Sequence, residues 1–261
     1  MPVPLTSTAQ PPVRSIDSAR PWHWLQLAYR DLLAAPGPSL LHGVLIALGG
    51  LTVLTLALRV WPLMPGALSG FLLIGPILAT GLYELSRRRT LGERPRLAHV
   101  IAAWRRGTQP LVALGLLLFA AATAWVLVSA LLFWLFLKQP MREPLDLLRY
   151  ALVGQGALLF SLWLLAGGLG AALVFALTAV SAPLLLDRRI GLRAALLASV
   201  RAVGDNPLPM ALWAVLIMAV SLASMATLMI GFVFAVPLIG HATWHAYRDL
   251  IDSSGLPERK E

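Results

Sequence analysis

The chain has 261 residues, of which 58% are hydrophobic and 13% charged, with a net charge of +9. Apolar runs longer than about 18 residues exclude an ordinary soluble domain and predict one all-α polytopic membrane domain. The positive charge lies between those runs, where topology and anionic headgroups account for it, so no nucleic-acid partner is expected. The absence of cysteine excludes disulfides, thiolate metal sites, iron–sulfur clusters and a cysteine nucleophile.

Residues 1–20, with Pro2, Pro4, Pro11 and Pro12 and no apolar core, predict a disordered cytoplasmic tail rather than a signal peptide or a span. Residues 22–33 predict an amphipathic surface helix, with Trp24, Leu25, Ala28 and Leu32 on one side and Arg30 and Asp31 turned away. Pro36-Gly37-Pro38 ends it, and residues 39–58 supply the run of about 20 apolar residues that a span requires. A turn at 59–66 leads to a second span over 67–85, closed by Arg87-Arg88-Arg89. Residues 96–106 predict a second amphipathic helix and 110–137 a third span. A short loop at 138–150 follows. The run 151–186 is longer than a core of roughly 30 Å needs at 1.5 Å per residue, so the fourth span must tilt, extend or break near Gly167-Gly168 or Pro183. Residues 191–204 predict a third amphipathic helix, and 207–248 the fifth and sixth spans with a turn near 224–229. Residues 251–261 are read as a cytoplasmic tail.

The basic residues give the orientation. With the N-terminus inside, only Arg59, Lys138, Arg142 and Arg149 face outward, which places both termini in the cytoplasm of a bacterial inner-membrane protein.

Two stretches share a frame. Gly70-Phe71, Pro76, Tyr83-Glu84 and Arg87 recur as Gly231-Phe232, Pro237, Trp244-His245 and Arg248. Arg30 followed by Pro36-Gly37-Pro38 recurs as Arg201 followed by Pro207-Leu208-Pro209. The reading is three parallel two-span repeats, at about 22–89, 96–190 and 194–250, in a pseudo-threefold six-helix bundle with three amphipathic helices on the cytoplasmic face. The middle copy follows the plan more loosely.

Candidate functional residues gather at the exits of the spans. His241, Trp244, His245, Tyr247, Arg248 and Asp249, with Tyr83, Glu84 and Arg87 of the first copy, form an interface or ligand set. His241 and His245 lie four apart and so share a helix face, a weak candidate for metal or haem; hydrogen-bonded interfacial histidines are the plainer reading, and no cofactor is expected. The acids are read as salt-bridge partners of neighbouring arginines. Pro76, Pro183 and Pro237 are candidate kinks or hinges. Arg30, Arg88, Arg89, Arg105, Arg106, Arg188, Arg189, Arg193 and Arg201 are candidate contacts for lipid headgroups. No Ser-His-Asp set, phosphate-binding glycine loop or paired catalytic acids are apparent, so no enzyme is expected.

Trp24-Leu25, Arg30-Asp31, Gly75-Pro76, the run Gly81-Leu82-Tyr83-Glu84-Leu85-Ser86-Arg87-Arg88, Asp187-Arg188, Asn206-Pro207 and the run from Gly240 to Leu250 resemble the proteobacterial integral-membrane family catalogued as domain of unknown function twenty-one eighty-nine. The likeness extends over about 22–252. It implies a six-span inner-membrane protein with no assigned reaction. Some members carry a label relating them to a cytochrome oxidase subunit, yet this chain lacks the histidines within its spans that haem and copper need. The function expected is that of a non-catalytic membrane protein that scaffolds or modulates anionic lipids, a membrane-protein partner or further copies of itself. The alternatives are a small-solute transporter or channel hinged at its prolines, and a metal- or haem-binding subunit using interfacial histidines.

Overall fold

The computed structural model describes residues 10–60, 63–105, 107–137, 146, 150 and 156–259. The first nine residues, Arg106 and most of the loop expected at 138–150 lie outside the described residues.

Helices α1 (Arg20–Ala34) and α2 (Pro36–Ala57) are separated by a single residue, Ala35, at φ −141° and ψ 60°. A proline crowds the residue before it out of the helical region, yet is tolerated in a first turn, where its missing N–H has no helical partner to lose. The pair α10 (Leu192–Asp205) and α11 (Pro207–Ala226) breaks in the same way, with Asn206 at φ −130° and ψ 56° before Pro207. Both turns were legible from their prolines.

The segment expected as the second span is interrupted twice, giving α3 (Met64–Leu73), α4 (Gly75–Leu78) and α5 (Thr80–Thr90). Pro76 has no N–H and its ring obstructs the carbonyl four residues back. At the second break the Leu82 and Tyr83 amides both turn to the Ala79 carbonyl. The Leu78 carbonyl then accepts from His42 Nε2 at 2.6 Å. That contact accounts for a histidine one turn into an apolar helix.

After α6 (Leu97–Arg105) comes α7 (Gln109–Phe136). The long fourth run is α8 (Ala157–Thr178) and α9 (Ser181–Asp187), broken at Ala179 and Val180 just ahead of Pro183. Gly167 and Gly168 lie inside unbroken helix. The last turn, with Leu228 and Met229 at φ 51° and 71°, leads to α12 (Phe232–Leu250), which continues through Pro237.

Four helical stretches are long and apolar enough to cross a membrane: Pro36–Ala57, Gln109–Phe136, Ala157–Asp187 and Pro207–Ala226. They correspond to the first, third, fourth and fifth expected spans. The best windows of α2, α7 and α11 are only 22%, 17% and 28% buried, so most of their apolar surface faces outward, toward lipid or a neighbouring protein.

The core sits at one end of the bundle. Trp24, Tyr83, Leu184, Trp213, Trp244 and Tyr247 are almost wholly buried there, and Trp24 meets Trp213 edge-on at 5.7 Å. Toward the other end, Trp125 Nε1 donates to Ser69 Oγ at 2.7 Å and Trp163 Nε1 to Ser129 Oγ at 2.8 Å. Among lipid tails, such bonds between helices replace a hydrophobic driving force.

The expected disordered tail differs over residues 10–19. Val13 bridges Ile251, the Arg14 amide donates to the Leu250 carbonyl at 2.8 Å, and the Asp252 amide donates to the Pro12 carbonyl at 2.9 Å. Proline-rich composition weakens helix and sheet, but it does not prevent a strand from pairing with one neighbour. The C-terminal segment is likewise held, with Arg188 bridging Glu258.

Candidate functional site

The polar groups of three helices meet at Asp31. This carboxylate is 6% exposed, because residues 24, 28 and 31 fall on one stripe at helical spacing. The expectation that it turns outward with Arg30 is therefore corrected. Its Oδ2 accepts from Ser86 Oγ of α5 at 2.5 Å and from His245 Nε2 of α12 at 2.9 Å. Its Oδ1 accepts from Arg89 Nη1 at 2.7 Å. Burial alone would raise its pKa, but the hydrogen bonds from His245 and Ser86 and the nearby imidazoles outweigh burial and hold it below 3.8.

The chain of bonds continues inward. Ser86 Oγ lies 2.7 Å from His241 Nδ1, and His241 Nε2 lies 3.0 Å from Ser39 Oγ of α2. A hydroxyl has one proton and an ionised carboxylate has none. Ser86 therefore donates to Asp31 and accepts from His241 Nδ1–H, which leaves Nε2 to accept from Ser39. Serine, histidine and aspartate thus do meet, contrary to the expectation, but in an order that differs from a nucleophilic triad. There the imidazole stands between hydroxyl and carboxylate; here Ser86 does. Ser39, Ser86 and His241 are fully buried, so none of them meets a solvent-borne substrate.

A second knot adjoins the first. Glu84 Oε1 accepts from Arg88 Nε at 2.6 Å, and Arg88 Nη1 reaches Glu93 at 2.9 Å. Asp187 accepts from Arg87 Nε and Arg188 Nε, each at 3.0 Å, and from the Tyr247 hydroxyl at 2.7 Å. Asp249 accepts from Arg20 Nε and Trp24 Nε1, each at 2.7 Å, tying α12 to α1.

Two of the anticipated salt bridges form with the expected neighbour, Glu84 with Arg87 and Asp187 with Arg188, and two acids take other partners. Asp31 pairs with Arg89 rather than Arg30, and Asp249 with Arg20 rather than Arg248. The arginines read as lipid contacts divide into two groups. Arg88 and Arg188 are buried and ion-paired, and Arg89 is held by Asp31. Arg30, Arg105, Arg189, Arg193 and Arg201 are exposed. Sequence reasoning missed Ser39 and Ser86, because a lone serine in an apolar or mixed helix carries no signal until its neighbours are known. His241 and His245 lie near each other as expected from their spacing, but both ring nitrogens of His241 already face serine hydroxyls, and no group of three or more His, Cys, Asp or Glu suited to a metal occurs among the described residues.

The second knot lies where the matched stretch of the chain ends. Residues 63–187 match the family described as predicted integral membrane protein (DUF2189). The resemblance read from the sequence holds over that stretch, which runs from α3 to Asp187 and contains Glu84, Ser86, Arg87, Arg88 and Arg89. The α12 motif, with His241 and His245, lies outside the DUF2189 match although it contributes to both knots. No curated protein and no solved structure matches the chain.

Proposed function

We propose that this integral membrane protein has no catalysis of its own and acts as a scaffold, its basic face binding anionic lipid headgroups at the cytoplasmic side of a bacterial inner membrane. One observation carries the reading. Arg30, Arg105, Arg193, Arg201 and Arg248 are exposed, and their guanidinium groups have no carboxylate partner among the described residues. They lie on α1, α6, α10 and α12, the helices around the end of the bundle that the two polar knots tie together. Arg59 is the described arginine at the opposite end. Attraction to an anionic surface of about 1 kcal/mol per basic residue makes such a face bind appreciably, and it supports placing both termini on the cytoplasmic side.

Six spans in repeated pairs belong to the same reading. It is supported by the matching breaks at Ala35 and Asn206 and by the contact of Phe71 with Phe232, 6.4 Å apart, which brings the two recurring Gly-Phe positions together. The test is lipid retention by the full chain purified from mixed anionic and zwitterionic membranes. A variant carrying Arg30→Gln, Arg193→Gln and Arg201→Gln should retain several-fold less anionic lipid and lose the salt dependence of that retention. Equal retention by parent and variant would overturn the reading.

A further inference from the structure

Two helices at the polar end carry an apolar stripe that faces away from the core. In α1 the side expected to be apolar is turned inward, with Trp24 and Ala28 fully buried. The opposite stripe at helical spacing is Trp22, Gln26, Tyr29 and Leu33, and its Trp, Tyr and Leu are each more than half exposed. Arg30 is exposed beside it. In α6, Val100 and Ala103 are buried, while Leu97, Ile101 and Trp104 are exposed along a second stripe beside Arg105.

Packing gives the level of both stripes. Trp24 meets Trp213 at 5.7 Å, and Trp213 lies about 9 Å into α11 from Pro207 at 1.5 Å per residue. Leu208, in the first turn of α11, is 68% exposed, so the apolar outer surface of that span already begins there and α1 lies beside it rather than beyond it. For α6 the marker is Gly81: a Cβ built on it would lie 2.6 Å from Val100 and 3.1 Å from His42. α6 is therefore level with the second turn of α2, where Leu41, Val44 and Leu45 are exposed. Each stripe thus continues the outer surface of a span near its polar end, where hydrocarbon gives way to headgroups. That layer favours aromatic rings with a polar edge, and arginines whose stems lie on apolar surface while the charge reaches water. Trp22, Tyr29 and Trp104 answer to the first description, Arg30 and Arg105 to the second.

We infer that α1 and α6 are embedded at the boundary between headgroups and acyl chains of one leaflet, with Trp22, Tyr29 and Leu33 and with Leu97, Ile101 and Trp104 as the sides that enter it. The partner is the bilayer itself. A protein would have to cover two stripes on separate helices, each abutting a different span, whereas one lipid layer covers both. Helices of this kind sit about 5–10 Å into the boundary. The inference goes beyond the headgroup reading, because it rests on apolar contact and holds in a bilayer without anionic lipid.

The chain has no cysteine, so nitroxide labels can be placed singly. Tyr29→Cys, Leu33→Cys and Ile101→Cys are the probes, with Leu48→Cys in the middle of α2 as the hydrocarbon reference and Ser254→Cys as the aqueous one. All five positions are exposed, and Leu97→Cys replaces Ile101→Cys if the label there unfolds the chain. With the full chain in phosphatidylcholine vesicles, spin relaxation by oxygen, which concentrates in hydrocarbon, and by a water-soluble nickel chelate reports depth. The probes on both helices should be several-fold less accessible to nickel than Ser254→Cys and less accessible to oxygen than Leu48→Cys. Nickel accessibility equal to that of Ser254→Cys on either helix overturns the inference, because that stripe would then lie open to water. Oxygen accessibility equal to that of Leu48→Cys on either helix also overturns it, because the helix would then lie within the hydrocarbon. Since no anionic lipid is present, these depths and the lipid-retention test of the Arg30, Arg193 and Arg201 variant fail independently.

Discussion

Asp31 shows how far one side chain can matter in this molecule. Its carboxylate receives Ser86, His245 and Arg89 at once, so deleting it strands three donors from two other helices. Removing one partner of a buried ionic network costs about 3–5 kcal/mol, whereas an exposed neighbour such as Arg30 should change stability by no more than about 0.5 kcal/mol. Thermal unfolding in detergent should therefore show a large loss for Asp31→Ala and almost none for Arg30→Ala; similar values for the two would contradict the buried junction. The same carboxylate gives a pH signature. Because it titrates below 3.8 in the folded chain, its contribution is complete above that value and is lost as the pH falls through the lower folded value. Asp31→Asn should thus melt earlier than the parent at neutral pH and show a shallower decline in melting temperature below pH 3.8. Parallel declines would assign the acid sensitivity to other carboxylates.

At the scale of elements, the crossing of α2 and α12 depends on a proline and a glycine acting together. Pro237 has no N–H to offer the carbonyl of Val233, four residues earlier. That carbonyl stands over Gly43, so near that a Cβ built there would lie 2.1 Å from its oxygen. Only glycine lets the two backbones approach so closely. Gly43→Ala should push the helices apart and cost about 1–3 kcal/mol or more. Gly37, with open space around it, is the control: Gly37→Ala should leave the melting temperature unchanged or raise it slightly, since alanine favours helix by up to about 1 kcal/mol. Loss of stability at both positions would point to a propensity effect rather than to the crossing. The sequence made part of this legible. Pro237 was read as a candidate kink and lies within a continuous helix, and the long apolar runs read at 39–58, 110–137 and from 207 onward, where helices of span length lie, could be read from hydropathy alone, because a span must be continuous. The double break around α4 and the break at Ala179 were not legible in detail. Proline marks where a helix weakens, but whether the helix continues, as at Pro237, or separates, as near Pro76, depends on what its neighbours supply to the stranded carbonyls, as His42 does for Leu78.

For the whole molecule, the polar end is closed by the two termini, and this closure was the least legible feature of all. Charge and histidine patterns located the exit residues, but Asp31 was misread because its adjacency to Arg30 outweighed the stripe it shares with Trp24 and Ala28. The pairing of residues 12–14 with 250–252 joins opposite ends of the chain, and no local pattern announces it. Asn206 is the clasp. It is 2% exposed; its Oδ1 accepts from the Ile16 amide at 2.9 Å, and its Nδ2 donates to the carbonyls of Arg14 and Ala202, each at 3.1 Å. One side chain thus holds the N-terminal segment to the break between α10 and α11 while the bridge at Ile251 holds it to the end of α12. Asn206→Ala removes the acceptor of one amide and the donor of two carbonyls, a loss of about 1–3 kcal/mol that falls on a peripheral segment rather than on the helices. The segment should then open locally without global unfolding. Limited trypsin digestion should cut several-fold faster after Arg14 in Asn206→Ala than in the parent, with the helical core intact. Asp205→Ala, at an exposed neighbouring position, should cut at the parental rate. Equal rates in all three would show that Asn206 does not hold the clasp and that the bridge to Ile251 suffices.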